Sequence, residues 1–310
     1  MRISWKGCSF SYGRDSVVRD VSGTVEAGSV LALVGVNGAG KTTLLRMTAG
    51  LLRPSAAAVS IGSRPATRRA SACRIGMVLD EPRFPAGMTG ERWLRYLTEA
   101  TGVHTWSSAR RCAWRSLERV GLQEVGCEAV ASYSQGMRQR LGVAGAICFD
   151  PQVLLLDEPT NGMDALGIGL LREITAEASS RECTVVVSSH YMTELEQLTN
   201  DMMLLSHGRV VFRGEMDEFA ATSGTVEVAV LPEQVRAAEA TLGRYLAKVD
   251  TVAGRLTVKG LSSHAVNQAL IDHGVTAREV YVVATSLQER YIRWQGSQSD
   301  GEGDDPRWPS

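Results

Sequence analysis

The segment Gly35-Val36-Asn37-Gly38-Ala39-Gly40-Lys41-Thr42-Thr43 limits the folds open to this chain more than any other stretch. It matches G-x-x-x-x-G-K-[ST] and follows an apolar run, Val30–Val34, that reads as a buried strand. Residues 44–52 then read as a helix. A strand feeding a glycine-rich turn that opens a helix belongs to a sheet with helices on its faces. The glycines let successive backbone N–H groups curl round phosphate oxygens with no Cβ in the way. The helix adds the positive end of its dipole. Lys41 is then placed to reach the β and γ phosphates of a nucleotide, and the Thr42 hydroxyl to ligate Mg²⁺.

Apolar runs at 153–156, 184–187 and 202–205 alternate with helical segments, the order that a covered parallel sheet requires. The first of them ends in adjacent carboxylates, Asp157 and Glu158. A parallel sheet presents such residues at the edge where ligands bind. There Asp157 is expected to meet Mg²⁺ through water and Glu158 to polarise an attacking water. Upstream, Ser134-Gln135-Gly136-Met137 opens a helix, so a hydroxyl, free N–H groups and a helix dipole form a second anion site. The run at 184–187 continues through two serines to His190.

The first thirty residues alternate short β-like runs with turns, and the pattern from about 88 to 149 is helical. Within 109–120 one face is apolar, while Arg110, Arg111, Trp114, Arg115 and Arg119 lie opposite. That basic face could touch RNA or headgroups; a solvated helix face is the expectation. Near 222–224 the character changes. Residues 225–231, 255–258 and 279–283 read as strands, and 233–247, 263–273 and 286–295 as helices. They make a small α+β appendage over 225–295. The polar, acidic tail 296–310 is expected to be disordered.

The bulk properties exclude several classes. A net charge of −1 gives no basic field for nucleic acid or anionic lipid. No apolar run approaches the ~20 residues that span a bilayer. The N-terminus lacks a signal-peptide core. Six cysteines without a CxxC pair read as reduced thiols of a cytoplasmic protein.

In order along residues 3–215, these motifs resemble the P-loop, Q-loop, signature, Walker B, D-loop and switch histidine of ABC-type ATPases. The resemblance implies an α/β P-loop NTPase with a RecA-like core and antiparallel β and helical ABC subdomains over 1–222. It implies ATP and Mg²⁺ as ligands. Gly35, Val36, Asn37, Gly38, Ala39, Gly40, Lys41, Thr42 and Thr43 would hold the phosphates, with Tyr12 of FSYGRD under the adenine. His190 would contact the γ-phosphate. Ser134, Gln135 and Gly136, with Asp164 of the D-loop, would serve the nucleotide held by a second subunit. Two copies would therefore close head to tail, and a homodimer is expected.

The departures are informative. YSQGM stands for the common LSGGQ, so Gln135 and Met137 replace a Gly and a Gln. Val36 stands where Pro is usual. Asp80, in IGMVLDEPRF, occupies the place of the Q-loop glutamine and would approach Mg²⁺ through water. These variants resemble ATPases of ABC-2-type exporters, of the bacitracin-resistance and lantibiotic-immunity kind. The closing SLQERYIRW is similar to their C-terminal segment. That subgroup implies an ATP-hydrolysing subunit peripheral on the inner face of the membrane. It would drive drug or peptide-antibiotic export through a separate permease, with no nucleic acid bound. A non-transport ABC ATPase acting on nucleic acid or ribosomes is one alternative. It would usually carry a coiled-coil insertion or a second cassette, and neither is present. A regulatory subunit with a dead site is another, against which Glu158 and His190 argue.

Overall fold

The computed structural model describes residues 1–67, 74–101, 106–190, 192–199, 201–216, 218–219, 225–259 and 263–283. The chain divides into two units, Met1–Gly214 and Glu215–Ser310.

In the first unit, β1 (Ile3–Tyr12) and β2 (Asp15–Val25) form a hairpin that turns through Gly13. With β4 (Ala56–Ile61) and β5 (Arg64–Pro65) they make a sheet of order β2-β1-β4-β5. Its pairings are antiparallel. Ile3, Trp5, Cys8, Val21 and Val25 bury its inner face. The Trp5 indole N–H finds its partner in Thr48 Oγ1 at 2.9 Å, so its ring enters the core without an orphaned donor.

The second sheet contains β3 (Val30–Val34), β6 (Ile75–Val78), β7 (Val153–Asp157), β8 (Thr184–Ser189), β9 (Asp201–Ser206) and β10 (Arg209–Glu215). Their order is β10-β9-β3-β8-β7-β6. β3, β6, β7, β8 and β9 pair in parallel. Every residue of β7 and β8 is buried, which explains why both read as unbroken runs rather than alternating ones. His207 and Gly208, both at positive φ, form the two-residue turn into β10. Because the central strands are parallel, their C-terminal ends share one edge of the sheet. The registers Val34↔Ser189, Asp157↔Ser188 and Val78↔Leu156 align those ends.

α1 (Lys41–Thr48) follows β3 directly and stops before Gly50, which takes positive φ, short of the helix expected to 52. α2 (Gly90–Ala100), α3 (Trp106–Arg119) and α4 (Gln135–Ile147) supply the helical stretch between β6 and β7. α3 buries Ala109, Ala113, Ser116 and Leu117, while Arg110, Arg111 and Arg115 face solvent. α5 (Ala165–Ser180) and the short α6 (Met192–Leu195) complete the unit. A Cβ on Gly76 would lie 2.0 Å from Ala146 O, so α4 approaches β6 more closely than any side chain allows.

The second unit runs β11 (Thr225–Val230), α7 (Val235–Leu242), β12 (Leu246–Asp250), β13 (Arg255–Lys259), α8 (Ser263–Asp272) and β14 (Ala277–Val283). The strand order is β12-β13-β11-β14, antiparallel throughout. This is the βαββαβ arrangement of ferredoxin-like units. Val226, Val228, Leu256 and Val258 from the sheet pack with Val235, Leu242, Val266 and Leu270. One expectation needs correcting here. The helix expected over 233–247 ends at Leu242, Gly243 turns at positive φ, and Leu246–Asp250 is a strand. Pairing with β13, from Leu246↔Val258 to Asp250↔Arg255, overrides the local helical pattern. The helix expected over 286–295 and the tail 296–310 lie outside the described residues.

Candidate active site

The phosphate cradle is built where β3 meets α1. Gly40 sits at the N-terminus of α1 with φ 103°, and a Cβ there would lie 2.8 Å from Val17 O. Only glycine fits both the backbone and the space. The β9–β10 turn braces the loop from behind, as Gly208 N–H donates to Ala39 O at 3.1 Å. Ala39 and Thr43 are buried in that packing. The ammonium of Lys41, 5 % exposed, donates to Gly35 O at 2.6 Å and lies 3.1 Å from Glu158 Oε1. That second contact is electrostatic rather than an aligned hydrogen bond, since Oε1 has no hydrogen-bond partner. Val36, Asn37, Gly38, Gly40, Lys41, Thr42 and Thr43 line one cleft together with Val17, Asp80 and Glu158.

Asp157 ends β7 with no solvent exposure. Ser188 Oγ donates to its Oδ1 at 2.8 Å, while Oδ2 has no hydrogen-bond partner. Burial pushes the carboxyl above its ordinary range, and the nearby Glu158 and Asp80 charges push the same way. The Ser188 and Thr42 hydroxyls oppose the shift. Glu158 takes φ 47°, a left-handed conformation that costs about 1–2 kcal/mol for a residue with a Cβ. Its N–H is pinned to Ser188 Oγ at 3.0 Å and Ser188 O at 3.2 Å. The turn swings its carboxylate towards both the cradle and the end of β8. There Glu158 Oε2 meets His190 Nδ1 at 2.8 Å and accepts from His190 N–H at 3.3 Å. One carboxylate thus spans from Lys41 to His190.

Asp80, beyond β6, accepts at Oδ1 from Asn161 Nδ2 at 2.6 Å. It shares an open cleft with Thr42, Arg46, Arg83 and Asp157. Thr42, Asp157 and Asp80 therefore offer three hard oxygen donors in one place. The orphaned, buried Asp157 Oδ2 is the kind of atom that a divalent cation satisfies. This donor set fits Mg²⁺.

Other predicted residues lie elsewhere. Ser134 caps α4 by accepting from Met137 N–H at 3.2 Å. A Cβ on Gly136 would lie 2.6 Å from Gly162 O, and the Gln135 side chain packs on Gly162. The signature turn is therefore pressed against the segment that leads to Asp164. Asp164 itself caps α5, accepting from Gly167 N–H at 2.8 Å. Neither Ser134, Gln135 nor Gly136 lines the phosphate cleft, and neither does Tyr12. Tyr12 is half exposed and rests edge-on against Phe10, 4.9 Å between centroids.

Sequence reasoning missed several supports. Ser188 was the most legible, a polar residue closing an apolar strand. Asn161, and Gln139 whose amide reaches Glu158 O at 3.4 Å, carried no such signal. Val17 contributes through a carbonyl and a β-strand position that any residue could hold.

The sequence profile of the ABC transporter family matches residues 18–161. The lantibiotic transport ATP-binding protein SrtF of Streptococcus pyogenes is 32 % identical over 207 residues, 67 % of this chain and 88 % of that protein. The daunorubicin resistance ATP-binding protein DrrA3 of Streptomyces coeruleorubidus is 31 % identical over 306 residues, 95 % of this chain and 96 % of the relative. A solved structure described as the ATP binding subunit of an ABC transporter superposes with a TM-score of 0.65 at 27 % identity. That match covers 71 % of this chain and 92 % of the other.

Proposed function

Because this chain belongs to the ABC transporter family of ATP-binding proteins, we propose that it hydrolyses ATP to drive export of a drug, peptide antibiotic or similar compound. The observation that carries this reading is the Glu158 carboxylate, held 3.1 Å from Lys41 and 2.8 Å from His190 above the phosphate cradle. A nucleotide in the cradle draws the Lys41 ammonium to its β and γ phosphates. Glu158, freed at Oε1, polarises the water that attacks the γ-phosphate. His190 steadies the other carboxylate oxygen and faces the γ-phosphate. Thr42, Asp157 and Asp80 would hold Mg²⁺, which supplies charge neutralisation at the phosphates when bound. Tyr12 would lie under the adenine.

Ser134, Gln135 and Gly136 lie off this chain's own phosphate cleft, which supports their serving the ATP of a second copy, with Asp164 at the junction. The working unit is then a head-to-tail homodimer of ATPase domains spanning 1–222, each followed by the appendage at 225–295. Among the described residues no helix is long and apolar enough to cross a membrane. A separate ABC-2-type permease would provide the passage, with this subunit on the cytoplasmic face and no nucleic acid involved. The names of the lantibiotic and daunorubicin relatives support the cargo class.

The test is Glu158→Gln. Phosphate release from MgATP should fall by ~10²–10⁴ while ATP binding persists, since only the base is lost. Wild-type turnover in that variant would refute the role of Glu158.

A further inference from the structure

Behind the residues that face the phosphates stands one more carboxylate. Glu194, on α6, accepts at a single oxygen, Oε2, from two hydroxyls: Thr160 Oγ1 and, at 3.3 Å, Ser189 Oγ. Both donors are dry, with Thr160 7 % and Ser189 1 % exposed. Thr160 lies two residues beyond Glu158, and Ser189 immediately precedes His190. Each hydroxyl therefore belongs to a strand end that carries one member of the Glu158–His190 pair.

The position of these ends needs a tie. The β7–β8 ladder runs only to Asp157↔Ser188. Beyond that register β7 leaves the sheet while Ser189 stays paired only with Val34 of β3, and Glu158 already sits in a costly backbone conformation. Ser188 holds the Glu158 N–H from one side. From the other side, Thr160 begins the turn towards Asp164, closed by Met163 N–H donating to Thr160 O at 2.9 Å. Glu194 joins this turn to Ser189, with a close hydrogen bond from Thr160 Oγ1 and a longer one, 3.3 Å, from Ser189 Oγ.

We propose that Glu194 is a positioning residue for ATP hydrolysis. Its carboxylate clamps the end of β7 to the end of β8, so that the Glu158 carboxylate and the His190 ring keep their contact during turnover. The hydrogen bonds described for Glu194 go to Thr160 and Ser189 rather than to the pair itself, and it acts through them. The inference rests on the ATPase reading above, and it deepens that reading by naming what holds the acidic and histidine arms together.

The experiment measures phosphate release against MgATP concentration for the full chain and its Glu194→Ala, Glu194→Gln and Thr160→Val variants. Glu194→Ala should lower kcat by ~10–100-fold, the cost of a misplacement of up to about 1 Å at a reacting group, with KM changed less than about twofold. Glu194→Gln should return kcat to within about threefold of wild type, because an amide oxygen still accepts both hydroxyl hydrogens. Thr160→Val should share the loss, and combining it with Glu194→Ala should add little, as expected for two ends of one contact. If Glu194→Ala does not fold, Thr160→Val and Glu194→Gln carry the same comparison. Wild-type kcat in both Glu194→Ala and Thr160→Val, a loss confined to KM, or a Gln variant no better than Ala would overturn the clamp alone. A wild-type chain that releases no phosphate would overturn the ATPase reading and the clamp with it.

Discussion

Asp157→Asn should stabilise the metal-free chain at neutral pH while abolishing its hydrolysis. The reason lies in the environment of one oxygen. Asp157 has no solvent exposure, its Oδ1 is satisfied by Ser188, and its Oδ2 has no hydrogen-bond partner. An unsatisfied buried polar atom costs about 1–3 kcal/mol, and more when charged. Asparagine keeps the Oδ1 acceptor for Ser188 and removes the buried negative charge that burial and the Glu158 and Asp80 charges disfavour. The unit spanning Met1–Gly214 has a size at which 1 kcal/mol moves Tm by roughly 2–4 °C, so the gain should be about 2–12 °C.

The pH dependence has a definite sign. The folded chain holds the Asp157 proton more tightly than the unfolded chain, whose carboxyl titrates near the ordinary 3.8. Below that value both states are protonated and there is no penalty. As pH rises through the raised folded value, the carboxylate forms in a dry site and stability is lost. The gap between variant and wild type should therefore open above pH 3.8 and level off once the folded carboxyl has ionised. Thermal unfolding by circular dichroism in EDTA, from acid to neutral pH, reads both. A variant less stable at neutral pH, or a gap that ignores pH, would refute the reasoning.

Two further predictions follow from the same geometry. Gly136→Ala places a Cβ 2.6 Å from Gly162 O, so it should destabilise the first unit by about 1–3 kcal/mol. It should also loosen the signature turn; an unchanged melting temperature would show that the two backbones separate freely. Asp80→Gln removes a charge that lies in one cleft with Thr42 and Asp157. The Mg²⁺ concentration for half-maximal hydrolysis should rise, and superimposable Mg²⁺ titrations would place Asp80 outside the metal's surroundings.

Much of this was legible because the relevant physics is local or periodic. The fully buried β7 and β8 had to read as continuous apolar runs, so the edge carrying Asp157, Glu158 and His190 could be placed from the sequence. The cradle at 35–43 was legible because its glycines serve backbone geometry. What stayed hidden depends on side chains meeting across long separations. Asp80 and Asn161 are 81 residues apart, and nothing in either segment signals their 2.6 Å contact. Glu194 meets Thr160 across 34 positions, and nothing in either segment signals that contact. β12 was lost inside a helical pattern because Leu246–Asp250 is short, partly charged and at the sheet edge, where only pairing with β13 decides its state. The role of Tyr12 rests on the family resemblance, for its ring packs on Phe10 at the end of a hairpin.

In the proposed dimer one catalytic site is made from two copies of this chain, Lys41 and Glu158 from one and Ser134 from the other. Mixing a Lys41→Ala chain with a Ser134→Arg chain tests it most directly. Each variant alone should release no phosphate from MgATP, because each homodimer has two broken sites. In the mixed dimer one site regains an intact Lys41 opposite an intact Ser134, so phosphate release should reappear on mixing. A mixture as inactive as its components, although the two chains associate, would contradict the shared site.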